Sequence, residues 1–157
     1  MVLAYATNVA TRRTNGLARL FVGVSILLFL ASLTQNPCRW ASPNESDGQY
    51  FGCLAFLLIG WVGVFGGIVA WLANPALLLA WIFTFSRYRR VEAIVCSVAA
   101  LGLALSFLAV KEIPGDNGSA KIISYALGYW LWIASIVMAL AGSMEGVIRE
   151  RLTRADS

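Results

Sequence analysis

At 157 residues the chain has the length of one domain, yet 59% of it is apolar and only 13% is charged. Soluble domains hold about 45–50% and about 25%, and a single core of this size cannot hide so much apolar surface. With a net charge of +4 and its apolar residues gathered into long uncharged runs, the composition excludes a soluble enzyme, a nucleic-acid-binding domain and a disordered segment. It implies an all-α, polytopic membrane protein, because backbone groups in lipid must be satisfied within each spanning helix.

The first uncharged run covers 20–38 and predicts a crossing over about 17–35. The tail before it carries Arg12, Arg13 and Arg19 without an acid. No small-residue cleavage pattern follows the apolar stretch, so the segment reads as an uncleaved first helix. Cys38 and Cys53 sit at the two ends of the next connection, on one face of the membrane. They are candidates for a disulfide closing a loop of about 15 residues, worth roughly 3 kcal/mol in the chain-entropy view; the alternative is two independent thiols. Between them, Glu45 and Asp47 read as a solvated loop. Asn44 and Asn117 head glycosylation-like tripeptides that read as chance matches.

The second run, 48–86, is too long for one crossing. Asn is a good helix cap and Pro suits a first turn. The sequence therefore predicts a helix over 51–72, a helix break at Asn74 and Pro75, and a continuation over 75–88. That continuation reads as a kinked extension or a cytoplasmic-side segment, because a fifth crossing would place seven basic residues outside and five inside, against the positive-inside rule. The pair Gly63 and Gly67, like Gly142 and Gly146 later, has GxxxG spacing. Such pairs make candidate helix-packing faces, either inside this bundle or toward another membrane subunit.

The remaining runs predict crossings at 92–110 and 122–144, so the fold expected is a small bundle of four transmembrane helices. Nine of the twelve basic residues then lie on one side, which places both termini in the cytoplasm. Ten Arg against two Lys suggests a bacterial inner membrane protein. Trp40, Tyr50, Tyr88 and Tyr125 fall at run ends, where amphipathic rings settle at the headgroups.

There is no His, no CxxC pair and no Gly-rich phosphate loop. The runs hold no formal charge, and a buried one would mark a proton-coupled or charged-substrate path. The chain therefore reads as no enzyme, with no cofactor, no metal site and no nucleic-acid partner. Its expected partners are the lipid bilayer and another membrane protein or a second copy. The function expected is that of a non-catalytic accessory, assembly or immunity-type subunit. The alternative is a transporter or channel subunit for a small neutral or lipid-like solute, with Asn74-Pro75 as its polar element.

Overall fold

The computed structural model describes residues 2–41, 52–86, 89–115 and 118–155, with side chains placed for 16–39, 52–86, 89–112 and 121–148. Arg87, Tyr88, Glu45, Asp47, Asn44 and Asn117 lie outside these residues. The chain is mostly helical. Three of its helical segments are long and apolar enough to cross a membrane: Gly16–Leu33, Arg90–Ala109 and Leu127–Ile148. At 1.5 Å per residue they span about 27, 30 and 33 Å, against roughly 30 Å of hydrocarbon. A shorter apolar segment, Val69–Thr84, reaches about 24 Å.

In chain order the elements are helix α1 (Val2–Leu33), strand β1 (Cys38–Ala41), the short helices α2 (Cys53–Ile59) and α3 (Trp61–Phe65), then α4 (Ala73–Thr84), entered through a 3-10 turn at Val69–Leu72. Helix α5 (Arg90–Ser106), strands β2 (Glu112–Gly115) and β3 (Gly118–Tyr125) and helix α6 (Leu127–Ala155) complete it. Contacts fix the directions. Asn36 lies against Gly128 and Ala18 against Gly142, so α1 and α6 are antiparallel. Arg90 reaches the Gly146 carbonyl and the Tyr129 hydroxyl meets Ala104, so α5 also opposes α6. Asn74 meets Trp132 and Thr84 meets Ser143, so α4 runs with α6. Helices α1, α4, α5 and α6 therefore alternate in direction.

The connections at one end of this bundle pair with each other. Strand β3 lies between β1 and β2, antiparallel to both. Residues 122–125, expected inside the last crossing, belong to this sheet, and α6 begins only at Leu127. Ile122 and Tyr125 pack on buried Phe107 and Tyr129, so these apolar residues serve an end cap.

The expected break at Asn74 and Pro75 is a correction: both lie inside the first turn of α4. A first-turn Pro costs no hydrogen bond, since the first N–H groups of a helix have no partner in the helix. The break falls instead at 66–68. Gly67 N–H bonds to the Val64 carbonyl and Ile68 N–H to the Gly63 carbonyl, the paired pattern of a Schellman cap. Gly67 takes the left-handed conformation the cap requires, at φ 86°. The predicted helix over 51–72 is thus two short helices and a turn, and the continuation to 88 stops at Thr84. Gly63 and Gly67 do not share a helix.

The core between helices is made of small side chains. Ala73, Leu77, Ala100, Ala104, Ile136 and Ala139 form its main buried cluster, and side chains this small let the helix backbones approach closely. Gly142 and Gly146 face inward too. A Cβ on Gly142 would come within 2.9 Å of Phe21 Cβ, and Gly146 lies under the Arg90 side chain. Gly102, on the outside of α5, has nothing within 4 Å. Replacing Gly142 by Val is expected to lower stability by about 1–3 kcal/mol through overpacking, whereas Gly102→Ala is expected to be neutral or to add up to about 1 kcal/mol. Thermal unfolding of both variants in detergent checks the contrast; equal melting temperatures would contradict the packing described.

Candidate functional site

Within the bundle, polar side chains are paired off against one another. Ser25, completely buried, donates to the Ser135 carbonyl at 2.6 Å and accepts the Trp81 indole N–H at 2.9 Å. This joins α1, α4 and α6 at one point. Farther along, the Thr84 and Ser143 hydroxyls lie 3.0 Å apart and Ser97 is 3.5 Å from Ser143, which ties α5 to α4 and α6. These hydroxyls also bond to carbonyls one turn back on their own helices, so none is left without an acceptor. Ser25, Ser97, Ser135 and Ser143 along this seam are buried.

Space opens at the sheet end. A cavity of about 540 Å³ lies between the last turn of α1, the α2–α3 pair, the start of α4 and the start of α6. That is inside the usual range for small-molecule sites, roughly 300–1,000 Å³. Among the described residues, no charged side chain lines it. Its position follows from the local folding: the Schellman cap at Gly67 turns the chain back, so α2 and α3 lean over the space beside α4. Two glycines permit the approach. A Cβ on Gly60 would come within 2.7 Å of the Trp71 ring, and one on Gly128 within 2.7 Å of both the Asn36 carbonyl and Cys53 Sγ.

The polar atoms around this cavity are nearly all spent. Ser32 donates to Phe29 O at 2.6 Å, Trp71 Nε1 to Leu57 O at 2.9 Å and Tyr129 Oη to Ala104 O at 3.2 Å. Trp132 Nε1 donates to Asn74 Oδ1 at 3.1 Å. An indole can only donate, so this bond fixes which way the Asn74 amide points. Its Oδ1 is used and its NH₂ group has no partner among the described residues. Asn74 is therefore not the cap that the sequence suggested but a polar side chain held at the cavity wall.

An aromatic cluster borders the same end. Tyr125 and Tyr129 have centroids 5.0 Å apart, and Phe107 lies 5.9 and 6.0 Å from them. Burial, with Cys38 nearby, raises the pKa of Tyr125.

The two candidate disulfide cysteines come to this end as free thiols. Cys38 is buried in β1, while Cys53 lines the cavity. They are close enough for a charge on one to be felt at the other. Of the two GxxxG pairs, Gly63 lines the cavity, Gly67 makes its turn, and Gly142 and Gly146 are used at the far end of the bundle. Among the described residues no three His, Cys, Asp or Glu side chains gather as metal ligands would. The partnership of Trp132 with Asn74 was beyond sequence reasoning, since the two are 58 positions apart. No known family, curated protein or solved structure matches the chain.

Burial pushes the Cys38 thiol from 9.0 up to about 11. Only the thiolate is nucleophilic, so alkylation of Cys38 in the folded protein is expected to be slow at pH 8 and to accelerate toward pH 11. In denaturant it should be fast from about pH 8.5. Mass spectrometry of the alkylated chain follows this; rapid folded-state labelling at pH 8, or a mass two hydrogen atoms lighter from a cystine, would contradict the buried-thiol description.

Proposed function

We propose that this is a four-crossing integral membrane protein, non-catalytic, that binds a small neutral or lipid-like molecule in the cavity at the sheet end. In this reading Gly16–Leu33, Val69–Thr84, Arg90–Ala109 and Leu127–Ile148 are the crossings. The alternating helix directions support it, because four crossings return the chain to the side from which it started. Arg89, Arg90 and Glu145 lie at the end opposite the sheet, and that end is the cytoplasmic one of a bacterial inner membrane by the positive-inside rule.

The observation that carries the binding role is a cavity with no charged side chain among its described lining residues, and with the Asn74 amide oriented at its wall. A site for a charged or strongly polar solute would need a buried countercharge. Gly142, Gly146, Ala100 and Ala104, the small residues suited to a docking face, are taken up inside the bundle, and outside it Gly23 and Gly102 stand singly on different helices. The ligand-binding reading is therefore preferred to the accessory-subunit one, and its transport form is that of a solute-carrying subunit.

A filled cavity tests the role. Ala55 lines the space without being buried in the core, so Ala55→Phe should occupy the cavity and leave the bundle intact. In liposomes, displacement of a neutral apolar fluorophore that accepts energy from Trp71 and Trp132 should weaken at least tenfold in this variant. A Cys introduced at Ser86 should react with an impermeant thiol reagent only after the cells are opened. Equal dye binding by wild type and variant would remove the binding role, and labelling of Ser86→Cys in intact cells would remove the four-crossing arrangement.

A further inference from the structure

Resting on the cavity reading above, we infer that its natural occupant is an acyl chain of a bilayer lipid, held by a hydrogen bond from the Asn74 amide to the ester carbonyl. Three observations converge on this chemistry. The first is the mouth. Ile59 is 59% and Val62 49% exposed, and both line the cavity. Helices α2 and α3 are uncharged and carry Leu54, Leu58, Trp61 and Phe65 on their outside, the last 85% exposed. An apolar segment this short cannot cross the hydrocarbon, and with its apolar side chains exposed it reads as a re-entrant or boundary segment. The opening it borders therefore faces lipid, and what enters comes from the bilayer.

The second is depth. Asn74 is level with Trp132, five residues into α6, or about 8 Å below the start of that helix. Strand β3 ends immediately before, at Tyr125. The site is thus near the boundary between headgroups and hydrocarbon, where the ester carbonyls of glycerolipids reside. Below it, Ser25, Trp81 and Ser135 are joined by hydrogen bonds across α1, α4 and α6.

The third is polarity. The bond from Trp132 turns Oδ1 toward the indole, so the Asn74 NH₂ group is the part of the amide with no partner among the described residues. In an apolar wall those donors select an acceptor without charge. An ester carbonyl meets this requirement, whereas a free hydrocarbon offers no acceptor and a carboxylate would enter a site with no cation among its described lining residues.

The experiment uses the full chain in proteoliposomes with two photoactivatable diazirine lipids of equal chain length. One carries acyl esters and the other ether links without carbonyls. Peptide mass spectrometry locates the label. The ester probe is expected to mark peptides of α2–α3 and the start of α6 about three- to tenfold more than the ether probe, the span expected for one net hydrogen bond. Asn74→Leu should bring the two probes level. Because that change strands the Trp132 indole, Asn74→Leu with Trp132→Phe should do the same with no orphaned donor. Excess unlabelled ester lipid should compete.

Equal labelling by both probes in wild type would overturn the carbonyl contact while leaving apolar binding in place. Labelling by neither would overturn the cavity reading itself. Displacement by an isoprenoid quinone but not by ester lipid would also overturn the assignment, in favour of a different carbonyl.

Discussion

Three helices are long and apolar enough to cross a membrane, and on the reading proposed here one deficiency of hydrocarbon shapes the whole molecule: it offers no hydrogen-bond partner. A hydroxyl or indole N–H that water would satisfy must find its acceptor inside the protein. Ser25 meets the condition by serving α1, α4 and α6 at once, and Ser143 by meeting Thr84 and Ser97. Each such bond adds only about 0.6–2 kcal/mol in a membrane. Their larger effect is on register, since sliding a helix by one turn would strand several polar groups together.

Close approach of the backbones is the companion requirement. Where the core is Ala and Gly, dispersion contacts between helices replace the hydrophobic drive that lipid removes. The same economy of side chains leaves a cavity where α2 and α3, turned back at Gly67, cover the start of α4 without filling the space beneath. Packing and cavity are thus two results of one chain path. The Asn74 NH₂ group, at the wall of that cavity, has no partner among the described residues.

Much of this was legible in the residues. Charge placement located the apolar runs, and the long uncharged segments matched three helices to within a few residues at most ends. The misreadings have physical causes. Gly63 and Gly67 fit both a helix-packing motif and a helix stop, and only the hydrogen bonds at 63–68 separate the two. Asn74 and Pro75 were recognised as unusual, but the acceptor role of Asn74 depends on Trp132, which no local rule connects to it. The sheet joins strands more than 70 positions apart, with Cys38 opposite Tyr125, and its short strands look like ordinary loops. The cavity combines residues from five segments, so no single stretch of sequence announces it.

The account stands on the exposed apolar faces of α1, α4, α5 and α6 meeting lipid. Leu27, Leu78, Val98 and Val137 represent the four, each between 45% and 67% exposed. Spin labels placed singly at these positions in liposomes report collisions with oxygen, which concentrates in hydrocarbon, and with a water-soluble nickel chelate. The account predicts frequent oxygen and rare nickel collisions at all four sites. Ready access of the nickel chelate to them would contradict it.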